Sequence, residues 1–154
     1  MTIKNEPLTS WTCDVCHRQI VDSNAGNVIW RGDNHQVSDF QIVHKLMDGY
    51  TCDQGPESGW NNSYEIGHFL GHTGRAFLLS WLTRGPIMAK PQHSMVTDFD
   101  QYVDLFHRVQ TPWYEEARPH FQSPQVVSDY AESGPDGPYE PIALERIASG
   151  EALI

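Results

Sequence analysis

The positions of the cysteines constrain this chain more than any other feature. Only three cysteines occur in 154 residues, and with one histidine they form two pairs, Cys13-x2-Cys16 and His44-x7-Cys52. Two ligands separated by two residues commonly supply half of a tetrahedral zinc site, and four protein ligands are typical of a zinc that holds chain segments together. The pattern predicts one structural Zn²⁺ bound by Cys13, Cys16, His44 and Cys52.

The number of cysteines also bears on the cellular compartment. An odd number cannot be fully paired within one chain, and residues 1–7 contain no apolar run of the kind that directs secretion. We therefore expect a cytoplasmic protein, in which thiols stay reduced and metal binding is favoured over disulfides. Buried structural thiols and redox chemistry are the alternatives.

The charge distribution narrows the choice of partners. The formal net charge of −10 is divided as −4 over residues 1–60, +2 over residues 61–96 and −8 over residues 97–154. Nucleic-acid binding draws its affinity from clusters of lysine and arginine, so this balance disfavours it and fits a basic protein partner better. No apolar stretch reaches the roughly 18 residues that a membrane helix needs, so we expect no membrane insertion.

Two segments between the ligand pairs have the composition of a β-hairpin. Residues 27–31 and 37–44 are rich in β-branched and aromatic side chains, and Gly32-Asp33-Asn34 between them is typical of a turn. Because side chains alternate along a strand, Phe40, Ile42 and His44 share one face. The second strand then delivers His44 towards a metal held beneath the hairpin.

Residues 11 to 53 resemble a zinc ribbon or a related zinc-knuckle module, in which a Cys-x2-Cys turn, a hairpin and a second ligand pair close on one ion. The resemblance implies a structural zinc in the amino-terminal third of the chain. A ribbon usually has a second close Cys-x2-Cys pair, where this chain has His44-x7-Cys52. The fourth ligand is therefore open between His44, which we favour, and His17 or His35.

The predicted donor set is closed. Three thiolates and one neutral imidazole leave no coordination position for a substrate and give a formal charge of −1 with Zn²⁺. A zinc deaminase needs His-x-Glu with Pro-Cys-x-x-Cys, and a metalloprotease needs His-Glu-x-x-His. Neither pattern occurs in the chain, so the predicted zinc is structural.

The remainder of the chain is predicted to be mainly helical. Asn62 followed three residues later by Glu65 has the form of a capping box and predicts a helix that ends at Gly85-Pro86. Glycines at 67, 71 and 74 indicate close approach of another backbone, for which the zinc module is the expected neighbour. Further helices are predicted for residues 97–110, 113–118, 123–132 and 142–148, with loops at residues 85–96 and 133–141.

One stripe of the helix expected from Asn62 suggests a second metal site. Glu65, His68 and His72 would share a face, and two histidines at i and i+4 with a carboxylate can bind a transition metal. These residues are candidates for the open site of a metal-dependent enzyme. The alternative is a polar face in contact with solvent.

We expect an α+β fold, in which an N-terminal zinc-bound β-hairpin module (residues 1–60) packs against three to five helices (residues 61–154) in one cooperative unit. Since no catalytic constellation is recognisable, we favour a non-catalytic, zinc-stabilised interaction or adaptor protein of the cytosol that docks on a protein partner. A homo-oligomer is compatible with the sequence. The alternatives are the metal-dependent enzyme and a nucleic-acid-binding zinc module that would stack bases on Trp11, Trp30 or Phe40 and contact phosphates through Arg18, Arg31 and Lys45.

Overall fold

The strands form a two-stranded ribbon and a four-stranded sheet. The computed structural model describes residues 8–33, 35–47, 49–83 and 95–150. Strands β1 (Trp11–Thr12) and β2 (Gln19–Ile20) pair antiparallel on either side of the first two cysteines. Strands β3 (Gly26–Gly32), β4 (Gln36–His44), β5 (Asn62–Glu65) and β6 (Met95–Val96) form the larger sheet in the order β5-β3-β4-β6.

The predicted hairpin is present. β3 and β4 are antiparallel, with Gly26 opposite His44 and Gly32 opposite Val37. At the turn, the Asp33 carboxylate accepts hydrogen bonds from the backbone N–H groups of His35 (2.7 Å) and Gln36 (2.8 Å), which lower its pKa. His44 therefore stands at the far end of β4 from this turn.

The prediction of a helix that begins at Asn62 is wrong for residues 62–69. Asn62–Glu65 is strand β5, paired antiparallel with β3, and a 3₁₀ turn, Ile66–Phe69, follows it before helix α1 (Gly71–Ser80) begins. Without β5, the outer edge of β3 would present unpaired backbone groups, and strand pairing satisfies them. The carboxylate of Glu65 forms an ion pair with Lys45 instead of capping a helix.

One glycine of this segment is required by close packing. A Cβ atom added at Gly74 would lie 2.0 Å from the carbonyl carbon of Phe69, so only glycine fits there. The close backbone contact predicted from the glycines is therefore present at Gly74. Its partner is the backbone of the 3₁₀ turn and not the predicted zinc module.

The later helices lie close to their predicted positions. They are α2 (Phe99–Gln110), α3 (Tyr114–Ala117), α4 (Pro124–Tyr130) and α5 (Pro141–Ser149), with 3₁₀ turns at Arg118–His120 and Gly137–Tyr139. The Ser123 hydroxyl accepts a hydrogen bond from the Val126 backbone N–H at the start of α4, and Gly150 ends α5 with a left-handed φ of 73°. Of the loop predicted at residues 85–96, residues 85–94 lie outside the described residues, and residues 95 and 96 form β6.

These elements make the fold α+β, as predicted, with five α-helices and two small sheets among the described residues. Two compact units can be distinguished, Thr9–Gln110 and residues 111–150. The division at residue 60 and the cooperative folding of the whole chain remain predictions.

Each unit has its own core. In the first unit, Trp81 packs against several aromatic rings, and the shortest centroid distances are 4.9 Å to Phe77, 5.1 Å to Trp30 and 5.5 Å to Phe40. In the second unit, the buried core residues are Tyr114, Ala117, Leu144 and Ile147. Such aromatic contacts stabilise a core beyond the area that they bury.

A buried arginine joins α2 to the segment that contains Cys13 and Cys16. The guanidinium of Arg108, whose side chain is 3% exposed, donates to the Asp14 carboxylate (2.8 Å) and to the Thr12 carbonyl (2.9 Å). The indole N–H of Trp11 donates to the Arg108 carbonyl at 2.9 Å. The Asp14 carboxylate also accepts from the Ile42 backbone N–H at 2.7 Å, so one network joins β1, β4 and α2.

This network predicts a large effect of Arg108→Ala. The substitution leaves the partly buried carboxylate of Asp14 without its cation, and we expect the free energy of unfolding to fall by about 3 kcal/mol in urea denaturation. Arg31→Ala is the matched control, because its ion pair with Asp39 is long (3.9 Å) and exposed, and it is expected to cost about 1 kcal/mol or less. Equal losses for the two variants would contradict the role given to Arg108.

Candidate metal centre

The first two cysteines are held by a tight turn between β1 and β2. The Cys13 backbone N–H donates to the Arg18 carbonyl (3.0 Å), and the His17 N–H donates to the Cys13 carbonyl (2.9 Å). His17 completes the turn with a left-handed φ of 62°. The Asp14 N–H donates to the Ile42 carbonyl (2.8 Å), which fixes the turn against β4.

The other two members of the cluster come from the end of β4 and the segment after it. His44 is the last residue of β4 and only 3% exposed, and Cys52 is 8% exposed. One nitrogen of His44 and the three sulfur atoms of Cys13, Cys16 and Cys52 all lie within 4.8 Å of one another. All three cysteines are free thiols, so the structure brings together the four side chains that the sequence pattern singled out.

The spacing of these atoms suits a tetrahedral ion. His44 Nδ1 lies 3.4 Å from Cys16 Sγ and 4.0 Å from Cys52 Sγ. In a tetrahedron with metal–sulfur bonds of about 2.3 Å and metal–nitrogen bonds of about 2.0 Å, neighbouring sulfur and nitrogen ligands are separated by about 3.5 Å. The cluster can therefore hold a metal ion with little movement of its side chains.

The hydrogen bond of the other ring nitrogen assigns the metal-binding atom of His44. Nε2 lies 3.1 Å from the Gln19 carbonyl oxygen, which can only accept, so Nε2 carries the proton and donates. Nδ1 then has a free lone pair directed at the sulfur atoms. A histidine whose second nitrogen donates to a backbone carbonyl is typical of metal sites, because this contact orients the ring.

The pKa values of two of these thiols are shifted in opposite directions. Burial raises the pKa of Cys16, but hydrogen bonds from the backbone and side chain of Arg18 and from the other two thiols outweigh it and lower the pKa to about 6. Burial and the neighbouring Cys13 and Cys16 raise the pKa of Cys52 to about 11. Three adjacent sulfurs do not all ionise unless a cation compensates their charge, and a divalent metal supplies that compensation.

A layer of side chains outside the cluster was not predicted from the sequence. The Tyr50 ring stacks on His44, with centroids 3.8 Å apart and planes at 10°. The guanidinium of Arg18 lies 4.7 Å from the centre of the Tyr50 ring and donates a hydrogen bond to Cys16. Arg18 thus places a positive charge beside a site that would carry a charge of −1 with Zn²⁺; the sequence had suggested it only as a phosphate contact.

The competing histidines are placed away from the cluster. His17 is exposed although it follows Cys16 directly. His35 is exposed and precedes β4, whereas His44 ends this nine-residue strand, so the whole length of β4 separates the two histidines. Only His44 among the three joins the cysteines.

The residues of the suggested second metal site are not brought together. Glu65 pairs with Lys45, and His72 Nδ1 is 3.5 Å from Arg75 Nη1. The ring of the exposed His68 contacts two aromatic rings, with centroid distances of 4.5 Å to Tyr64 and 4.7 Å to Phe77. The three residues belong to a strand, a 3₁₀ turn and a helix, so the expected stripe on one helix does not form. Within the described ranges, the Cys13, Cys16, His44 and Cys52 group is the only cluster of this kind.

The aromatic residues suggested for base stacking serve the core. Trp11 is fully buried, Trp30 is 6% exposed, and Phe40 packs against Trp81 and Tyr102. Among the suggested phosphate contacts, the Arg31 guanidinium lies over the Trp60 ring at 4.1 Å. None of the helices in the described part of the chain has the length and apolar character to span a membrane.

Comparisons of the chain with protein families, with curated proteins and with solved structures find no match. Function is therefore inferred from the chemistry of the site itself.

The position of Arg18 predicts its effect on metal binding. Arg18→Gln removes a positive charge and a hydrogen bond from Cys16, so we expect the metal affinity to fall about tenfold, measured by competition with a chromophoric chelator. Because the pKa of Cys16 would rise, protons would compete better and the metal would be released at a higher pH than in the wild type. Arg31→Gln, which removes a charge remote from the sulfurs, should leave both values unchanged. Identical release curves for wild type and Arg18→Gln would refute this role.

Proposed function

We propose that this protein is a non-catalytic, zinc-stabilised interaction protein of the cytoplasm, with one structural Zn²⁺ bound by Cys13, Cys16, His44 and Cys52. The observation that carries the proposal is the gathering of three thiols and one imidazole nitrogen, largely buried and within 4.8 Å of one another. A cytoplasmic location is supported by the three free thiols, which persist in a reducing compartment.

The donor set favours zinc over other common cations. Thiolate and imidazole ligands disfavour magnesium and calcium, which prefer oxygen. Zinc accepts tetrahedral sites of three cysteines and one histidine with bond lengths that match the spacing of these atoms. The turn between β1 and β2 that contains Cys13 and Cys16 is followed by the β3–β4 hairpin that carries His44. This order supports a relationship to zinc-ribbon modules.

A structural role for the ion follows from the number of ligands. Four protein ligands fill a tetrahedral zinc, so no position is left for an activated water or a substrate. Bound there, the ion would join the turn at Cys13 and Cys16 to the end of β4 and to Cys52. It would therefore stabilise the end of the hairpin opposite its turn.

The interaction role is supported by the charge of the chain. A net charge of −10 makes a basic protein a favourable partner, through faster encounter and complementary surface potential. Phe99 and Val103 on α2 and Ile142 on α5 are among the large apolar side chains that are at least 47% exposed. Exposed apolar side chains combined with complementary charge are typical of protein interfaces.

The metal assignment predicts the zinc content of purified protein. Protein prepared without a metal-affinity tag should contain about one zinc per chain by elemental analysis, and His44→Ala should lose most of it. His35→Ala and His68→Ala remove exposed histidines outside the cluster and should keep the full content. A metal-free wild type, or full zinc content in His44→Ala, would overturn the assignment; loss of an ion in His68→Ala would indicate a second site.

A further inference from the structure

The unit formed by residues 111–150 contains a cavity that the metal centre does not explain. It has a volume of about 430 Å³, within the range of ligand-binding pockets. Its walls come from the start of α3 and from α5 and include Trp113, Glu116, Ile142, Glu145, Arg146 and Ser149. Apolar and charged side chains thus line the same space.

One carboxylate oxygen in this wall lacks a hydrogen-bond donor. Glu116 Oε2 is buried and has no hydrogen-bond partner among the described residues. Burial raises the pKa of Glu116, a hydrogen bond from its own backbone N–H partly offsets this, and the charge of Glu115 raises it further. A buried acceptor without a donor is rare in folded proteins and calls for an explanation. A cationic donor entering the cavity would provide one, since the terminal torsion of a glutamate turns easily.

The apolar part of the wall is held in an unusual conformation. Trp113, which precedes α3, has a left-handed backbone with φ of 70° and ψ of −6°. This conformation is unfavourable for a bulky residue, and such residues are concentrated at functional sites. Ile142 faces the same cavity and is 67% exposed. Together they offer an apolar surface that an aliphatic chain can cover.

The charge around the cavity favours a cation. Residues 111–150 contain seven carboxylates, two arginines and no lysine, a net charge of −5 with His120 neutral. In the wall itself, Glu116 and Glu145 outnumber Arg146. A negative field of this kind attracts basic groups and repels phosphates.

We propose that this cavity binds a lysine or arginine side chain from a basic segment of a protein partner. The aliphatic stem lies against Trp113 and Ile142, and the terminal cation donates hydrogen bonds to the Glu116 carboxylate. This inference rests on the proposed interaction function and names the chemistry of its partner.

Nuclear magnetic resonance titrations of the full-length, zinc-loaded chain test the proposal. The probe is a blocked ten-residue peptide of alternating lysine and glycine, with its arginine and glutamate counterparts in parallel titrations. We expect saturable shifts of the Trp113 indole and Ile142 methyl signals with the lysine or the arginine peptide, and none with the glutamate peptide. The relative affinities of the two basic peptides identify the preferred side chain.

Matched variants separate the cavity from general electrostatics. Glu116→Gln should weaken binding about tenfold, whereas Glu132→Gln, the same change at an exposed carboxylate that does not line the cavity, should weaken it less than about twofold. Ile142→Ser should also weaken binding, and because Ile142 is exposed this variant should keep its fold. Equal losses for Glu116→Gln and Glu132→Gln, or no saturable binding of either basic peptide, would overturn the proposal.

Zinc content is measured on the same samples, so the two proposals can fail separately. If the zinc-loaded chain binds neither basic peptide, the cavity proposal is wrong and the metal assignment is unaffected. If the purified chain contains no zinc but binds a basic peptide through Glu116, the metal assignment is wrong and the cavity proposal is supported.

Discussion

The clustering of three sulfur atoms and one imidazole nitrogen is the constraint on which the amino-terminal half of the structure depends. The four residues of the cluster come from two distant segments, Cys13 and Cys16 from a turn and His44 and Cys52 from the end of a strand and the segment beyond. Neighbouring thiols with pKa values as far apart as about 6 and about 11 are not all ionised at neutral pH. A divalent cation bound by the cluster would compensate the negative charge of three thiolates and would cross-link the two segments.

The surrounding residues prepare the cluster for a cation. The Gln19 carbonyl fixes the tautomer of His44, Tyr50 covers its ring, and Arg18 places a positive charge beside Cys16. Further out, Arg108 and Asp14 connect the turn to α2. The cluster is thus oriented by backbone and side-chain contacts that reach into the core of the same unit, so an ion bound there would stabilise more than its immediate ligands.

The sequence was sufficient where the signal is local. The composition of residues 37–44 correctly predicted a strand that ends at a buried His44, although Val43 on the opposite face is buried as well. The signals at Ser123 and Gly150 correctly marked the start of α4 and the end of α5. The Cys-x2-Cys spacing likewise identified the turn between β1 and β2, although these two short strands themselves were not predicted.

Prediction failed where a distant contact outweighs a local preference. The sequence of Asn62 and Glu65 fits a capping box, but the segment pairs with the edge of β3 and forms a strand. Glu65 forms an ion pair with Lys45. The pairing of Arg108 with Asp14 spans 94 residues and leaves no pattern in the sequence. The cavity beside Glu116 depends on how α3 and α5 pack, which periodicity alone does not determine.

Amide hydrogen exchange with and without a strong chelator tests the central claim most directly. If a metal ion is bound by the cluster, chelation should abolish the exchange protection of the Cys13 and His17 amides, which close the turn. It should also abolish protection at the end of the hairpin near His44. Protection in α5, which belongs to the other compact unit, should change least. Undiminished protection throughout residues 11–52, in protein shown by elemental analysis to be free of metal, would contradict the account.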